Sequence, residues 1–294
     1  MSAPARKSYL LGLIGLGIGG SRSPFLHESE AAAHGLPLVY RLLDMAQLQP
    51  GIANLATLLG IVRALGFDGV NVTHPFKREI VPLLDELSDE ATALGAVNTV
   101  VIRNGRSIGH NTDWSGFAAA MSAGLPDVSL RKVTQLGAGG AGAATAYALL
   151  KLGTWQLTVY DANAARANEL STRLQALFPD RDITTASDAA VALRGAHGLV
   201  QATPVGMIGH AGSPIAPQLL DSSLWVADII YTPAETALLA EARKLGCRTI
   251  NGSGMVIAQA ANALRLFTGI EPDIERMRRS FETKASDPAS VSAS

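Results

Sequence analysis

Two α/β domains, each built on a mainly parallel sheet covered by helices, are what this sequence predicts. Three observations carry that expectation. Short apolar runs alternate with stretches of helical spacing through nearly all of the chain. The alternation falls into two series, the second opening after Asp113. The 294 residues are 48% hydrophobic and 17% charged, enough for two buried cores and too apolar for a disordered chain.

In the first series, Leu10–Gly15, Leu38–Leu43, Gly69–Val72 and Val97–Ile102 read as strands. Between them, Phe25–Ala33, Ile52–Leu65 and Glu79–Leu94 have helical spacing. In the second series, Lys132–Leu136 is a strand, Gly140–Leu152 a helix, Gln156–Tyr160 a strand and Asn163–Leu177 a helix. Ile183–Thr185, Leu199–Ala202, Trp225–Ile229 and Thr249–Ile250 continue it as strands, which makes this series a compact doubly wound unit. Asn251–Phe267 and Asp273–Phe281 then read as helices outside that unit, so they are expected to return to the first domain. The expected division is 1–112 plus 251–283 for the first domain and 113–250 for the second, with a cleft between them. Residues 284–294 are expected to form a disordered tail.

The charge balance excludes some classes of partner. A net charge of −1 leaves no electrostatic footprint for nucleic acid or for an anionic membrane. The single cysteine, Cys247, cannot form an internal disulfide, and no Cys/His spacing resembles a metal site. Arg6 and Lys7 precede an apolar run, but glycines interrupt it, and a first strand is the better reading than a signal peptide. The expected setting is the cytoplasm and the expected partner a small molecule, with the protein a monomer or a homodimer.

The pattern G-x-G-x-x-G occurs twice, at Gly15–Gly20 and at Gly137–Gly142. The residues after each pattern separate the two. After Gly142 comes Ala143–Leu150, a strong helix, so the backbone amides of Gly137, Ala138, Gly139, Gly140, Ala141 and Gly142 are set to receive a pyrophosphate at a helix start. After Gly20 come Ser21-Arg22-Ser23-Pro24, and Pro24 suits the first helical position, so that helix begins well past its glycines. Asp161 closes the strand after the second loop, where a carboxylate accepts from both ribose hydroxyls of NAD and repels a 2′-phosphate. The competing role for Asp161 is a cap on the next helix.

The densest polar signals lie in the first domain: Asn71-Val72-Thr73-His74-Pro75-Phe76-Lys77, Gly95-Ala96-Val97-Asn98-Thr99 and Gly109-His110-Asn111-Thr112-Asp113. With Ser21–Pro24, Asp228–Pro233 and Gly252–Ala260, they resemble the shikimate/quinate dehydrogenase family over nearly the whole chain. The resemblance implies a substrate-binding domain, a Rossmann-type NAD-binding domain, and hydride transfer between NAD and one ring hydroxyl of shikimate or quinate. It implies that Ser21 and Ser23 hold the substrate carboxylate and that Thr73, Asn98 and Gln259 bind ring hydroxyls. Lys77 and Asp113 would flank the reacting hydroxyl, and Tyr231 would line the boundary between substrate and cofactor. Thr203 and Gly254 would join the glycine loop and Asp161 in holding the cofactor.

The residue types suit that chemistry. Oxidising an alcohol needs a proton acceptor as hydride leaves, and a lysine amine can serve once burial disfavours its charged form. A neighbouring carboxylate opposes that effect, so Lys77 and Asp113 would titrate as a pair. NADP-using members of the family carry an Asn-Arg-Thr stretch where this chain has Asp161-Ala162-Asn163, which favours NAD over NADP and the quinate/shikimate branch. Two rival readings stand beside it: a dehydrogenase of aminoshikimate or another substituted ring acid, and a non-catalytic NAD-binding module, against which the Lys77/Asp113 pair argues.

Overall fold

Strand β1 (Tyr9–Gly15) and its neighbours show how the first sheet acquires two buried faces. In the computed structural model, which describes residues 7–285, Ile14 packs with Val70, Val72 and Val100 against Leu55, Leu58 and Val62. Leu11 and Leu13, whose side chains point the opposite way, pack with Tyr40 and Val101 against Ala263, Leu264 and Phe267. Chain order is β1, α1 (Ser23–Ala33), β2 (Leu38–Asp44), α2 (Leu55–Ala64), β3 (Gly69–Val72), β4 (Glu86–Leu87), α3 (Asp89–Leu94), β5 (Thr99–Arg103) and β6 (Arg106–His110). The sheet order is β2-β1-β3-β5-β6-β4.

That sheet is mainly parallel, as expected, with one strand reversed. β5 runs antiparallel to both β3 and β6, and the connection to β6 is a tight turn at Asn104-Gly105, both with positive φ. The single helix expected over 79–94 is also three pieces. Pro82 sits in a short 3₁₀ turn, Val81–Leu83; Glu86 and Leu87 then pair with Ile108 and Gly109; and the Ser88 side chain caps α3 by accepting from Ala91 N.

The second sheet is fully parallel. Its elements are α4 (Asp113–Gly124), β7 (Lys132–Leu136), α5 (Gly140–Lys151), β8 (Gln156–Tyr160), α6 (Ala164–Leu177), β9 (Asp182–Thr185), α7 (Ala189–Leu193), β10 (Gly198–Gln201), β11 (Trp225–Asp228), α8 (Ala237–Lys244) and β12 (Arg248–Ile250). The order β12-β11-β10-β7-β8-β9 reverses direction at β7, the position where open α/β sheets bind ligands outside the carboxyl ends of their strands. Cys247 is buried in the core of this sheet, as a small apolar residue.

The chain divides into two compact units, one holding the residues up to Thr112 and from Gln259 onward, the other Asp113–Ala258. The division falls inside α9 (Ser253–Thr268), later than the expected 250/251. The reason is local. Gly252 N donates to Ile230 O (2.9 Å) and Asn251 Nδ2 to Ala234 O (2.9 Å), which ties the start of α9 to the second unit. The last helix, α10 (Ile274–Ala285), packs on α1, where Arg276 donates to both oxygens of the buried Glu30 (2.7 Å each). The tail expected from 284 onward lies, beyond the end of α10, outside the described residues. Among the described residues no helix is long and apolar enough to cross a membrane.

Candidate active site

The carboxyl end of β3 and the start of β5 bring a polar cluster together inside the first unit. Asn98 is buried, and its Oδ1 accepts from Thr112 N (2.7 Å) and Thr99 Oγ1 (3.0 Å). Asn98 Nδ2 donates to Thr112 Oγ1 (3.0 Å) and reaches Gln259 Oε1 (3.5 Å), which also lies 3.5 Å from Thr112 Oγ1. Asn71, at the core of β3, donates to Asn98 O (3.2 Å) and Thr99 Oγ1 (3.0 Å) and accepts from Tyr40 Oη (2.8 Å). Such a cluster is stable in a core because its members satisfy one another.

Thr73 and Lys77 lie on the turns that leave β3, both half-buried. Thr73 N donates to Ile14 O (2.9 Å), and Lys77 O accepts from Val97 N (2.8 Å), so the backbone beside Lys77 is fixed next to the residue that precedes Asn98. Asp113 follows Thr112, is buried, and is the first residue of α4. Ser21 and Ser23 lie at the start of α1. Ser21 Oγ accepts from Ser23 N (3.3 Å) and donates to Ser23 Oγ (3.2 Å), while the N-cap position is Arg22, whose side chain makes no capping bond. Neither serine therefore acts as the N-cap.

In the second unit the glycine loop Gly137–Gly142 leads directly into α5. Gly137 has φ +99°, and a Cβ there would stand 2.6 Å from Ala202 O; a Cβ on Gly142 would stand 2.3 Å from Gly137 O. Gly139 and Gly140, by contrast, are exposed, with open space where a Cβ would be. The loop is pinned from below by Gln135, whose Nε2 donates to Gly137 O (2.9 Å) and Gly142 O (2.7 Å) while Thr145 holds its Oε1 (2.8 Å). Asp161 Oδ2 accepts from Ala138 N (2.8 Å) and Oδ1 from Asn163 N (2.8 Å). The cap of α6 is Asn163, not Asp161, so the carboxylate stays half-buried at the mouth of the loop. A small, rigid loop with exposed central glycines, a helix start and an acid beside it fits the diphosphate and ribose of a dinucleotide.

The neighbouring strands end in the same manner. Gln201, the last residue of β10, donates to Thr203 O (3.1 Å) and Val205 O (2.8 Å) and accepts from Thr203 N (2.9 Å). Asp228, the last residue of β11, accepts from Ile230 N (3.0 Å) and Thr236 Oγ1 (2.7 Å), pinning the loop that carries the exposed Tyr231. Burial pushes the Asp228 carboxyl up to about 6, against those two hydrogen bonds. Gly254 is exposed in the first turn of α9, packed near Ala120.

Comparison with known proteins gives these sites a family. Residues 13–100 match the family described as shikimate dehydrogenase substrate binding domain, and residues 252–280 match the shikimate 5'-dehydrogenase C-terminal domain. A Streptomyces avermitilis protein named shikimate dehydrogenase (NADP(+)) is 52% identical over 272 residues, covering 92% of this chain and 94% of its own. The chain belongs to the shikimate dehydrogenase family. A Corynebacterium efficiens member named quinate/shikimate dehydrogenase (NAD(+)) is 48% identical, over 93% of this chain and 98% of its own. The solved quinate dehydrogenase of Corynebacterium glutamicum in complex with NAD superposes with a TM-score of 0.90 at 46% identity, covering 94% of this chain and 99% of that one. The two-domain α/β architecture, with its Rossmann-type second unit, is that of the family.

Of the site residues that the sequence points to, the structure brings Asn98 together with Gln259, Ser21 with Ser23, and the glycine loop with Asp161. Thr73, Lys77, Asp113, Thr203, Tyr231 and Gly254 stand on the turns at strand ends or at helix starts. Sequence reasoning missed Tyr40, Asn71 and Thr99 behind Asn98, and Gln135, Gln201 and Asp228 behind the loops. Asn71 and Thr99 lie inside the polar motifs of the first domain, and the others are single polar residues in or at the ends of apolar strands, a signal that could have found them.

Proposed function

We propose that this family member is an NAD-dependent quinate/shikimate dehydrogenase, an oxidoreductase that moves hydride between NAD and one ring hydroxyl of shikimate or quinate. The ketone products are 3-dehydroshikimate and 3-dehydroquinate. The observation that carries the cofactor assignment is Asp161: its carboxylate is fixed at the mouth of the glycine loop by Ala138 N, and no arginine precedes Arg166 on α6. A carboxylate there accepts from ribose hydroxyls and repels a 2′-phosphate. Gly137–Gly142 would hold the diphosphate, with Thr203 and Gly254 as further contacts.

When bound, NAD supplies the hydride acceptor. Everything else in the reaction falls to side chains of this chain. Lys77 takes the proton from the reacting hydroxyl and returns it in the reverse direction. Asp113 is the carboxylate paired with Lys77 in that task. Ser21 and Ser23 donate to the substrate carboxylate; Thr73, Asn98 and Gln259 bind the remaining hydroxyls; Tyr231 closes the substrate side of the cofactor. Asn98 is suited to its part, because its amide is already oriented by Thr99 and Thr112 and need not be ordered by the ligand.

A second reading is favoured by the 52% identical relative, whose name specifies NADP(+): a biosynthetic, NADP-linked shikimate dehydrogenase. A matrix of initial rates with shikimate, quinate and aminoshikimate against NAD and NADP decides between them. The proposal expects NADH formation from shikimate or quinate. Turnover confined to aminoshikimate or to NADP, or no turnover in any cell of the matrix, overturns it. We also place the enzyme in the cytoplasm as a monomer or homodimer, which localisation of the tagged full chain and light scattering test.

A further inference from the structure

A run of hydrogen bonds crosses the core of the first unit from Tyr40 on β2 to Gln259 on α9, and the start of α1 adjoins its first member. Ser21 Oγ donates to Ser23 Oγ (3.2 Å), and the Ser23 side chain adjoins the Tyr40 phenol. Tyr40 Oη donates to Asn71 Oδ1 (2.8 Å), Asn71 Nδ2 to Thr99 Oγ1 (3.0 Å), Thr99 Oγ1 to Asn98 Oδ1 (3.0 Å), and Asn98 Nδ2 reaches Gln259 Oε1 (3.5 Å). Tyr40 is buried, its ring stacked on His27 with centroids 4.8 Å apart. Burial holds His27 neutral, with its pKa lowered to about 3, and pushes the Tyr40 phenol up, so the hydroxyl keeps its proton.

That phenol has one proton and two oxygen neighbours able to accept it. Here Tyr40 donates to Asn71, with the Ser23 side chain beside the phenol. An anion that takes the Ser23 proton leaves Ser23 Oγ facing the phenol as an acceptor. A proton turned toward Ser23 is withdrawn from Asn71, and each amide and hydroxyl behind it is polarised differently. Ser21 and Ser23, assigned to the carboxylate, adjoin one end of the row, and Asn98 and Gln259, assigned to the ring hydroxyls, form the other.

We propose that Tyr40 is a positioning residue that couples Ser21 and Ser23 to Asn98 and Gln259, making recognition of a ligand's anionic group and of its ring hydroxyls cooperative. The inference rests on the dehydrogenase reading, in which one substrate spans both ends.

Tyr40→Phe in the full chain keeps the stacked ring and removes the relay. The substrate KM rises about tenfold, the scale of one lost buried hydrogen bond, while the KM for NAD stays unchanged. Thr99→Val cuts the same row at another link and has the same effect. Thr99→Ser, which keeps the hydroxyl, restores near wild-type values; this pair carries the test if Tyr40→Phe does not fold. Ser23→Ala and Gln259→Ala, combined, depart from multiplicative effects on kcat/KM by about fivefold when Tyr40 is present and multiply when it is Phe. Multiplicative effects in both backgrounds, or an unchanged substrate KM in folded Tyr40→Phe, overturn the coupling. A wild-type protein that neither turns over nor is stabilised against melting by quinate or shikimate sinks the dehydrogenase reading together with the coupling. Wild-type turnover with multiplicative effects sinks the coupling alone.

Discussion

The two glycine loops share one spacing, each follows the first strand of its sheet, and each meets an aspartate from the end of the next strand, yet they are put to different uses. In the first, Asp44 takes Gly17 N (2.8 Å), Ile18 N (3.0 Å) and Ala46 N (3.1 Å), and Ile18 turns into the core. The protein consumes its own donors, and α1 starts only at Ser23. In the second, Asp161 takes Ala138 N from the loop, and α5 starts within the glycines, where the first amides of a helix have no partner inside it. A glycine pattern becomes an anion site when a helix begins inside it. When the helix begins later, the same pattern is a tight turn closed by a carboxylate.

The largest effect expected divides the labour between the units. Lys77→Met lowers kcat by about 10²–10⁴, the usual range for a lost acid–base group, while NAD still binds with wild-type affinity by calorimetry. Loss of both together would place Lys77 in the scaffold. Next, Gly142→Ala drives a Cβ into Gly137 O and lowers kcat/KM for NAD by about 10²-fold through misplacement of the loop. Gly20→Ala in the first loop meets open space and changes it by less than about twofold. Equal losses in both would erase the contrast.

Carboxylates at strand ends give the smallest effects, with opposite signs. Burial pushes Asp44 up, but the amides of Ala46, Gly17 and Ile18 outweigh it and hold the carboxyl below its usual range. Its contribution to stability is therefore complete above the unfolded value of about 3.9 and is lost as pH falls through the lower folded value. Asp44→Asn melts a few degrees lower at neutral pH, and the gap to wild type closes in acid. Asp228 is raised to about 6, so its contribution is complete below about 3.9 and fades as pH rises through about 6. Asp228→Asn flattens the melting profile between those values. Parallel profiles for wild type and either variant would contradict the assignment.

Much of this was legible in the sequence, for identifiable reasons. The parallel second sheet follows from regular alternation, and the choice between glycine loops from Pro24 against Ala143–Leu150. The hairpin of β5 and β6 was readable in Asn104-Gly105, a strong turn signal, but hidden by its overlap with the polar motifs on either side. The pieces between Val81 and Leu94 were not readable from periodicity, because a two-residue strand is too short to show one. The row from Tyr40 to Gln259 joins residues far apart in the chain, which spacing cannot reveal. Gln135 and Gln201 were visible as polar residues in apolar strands, but only the fold shows that they hold the loops above them.

The central claim is that Asp161 makes the second loop an NAD site. The most direct measurement is the ratio of kcat/KM with NAD to kcat/KM with NADP, in the wild-type enzyme and in Asp161→Ala. A charge about 4 Å from a 2′-phosphate is worth roughly 4 kcal/mol at an effective dielectric near 20, and half of that still exceeds tenfold. The account predicts a wild-type ratio above about ten that drops by more than tenfold when the carboxylate is removed. A wild-type preference for NADP, or a ratio that Asp161→Ala leaves where it was, would contradict it.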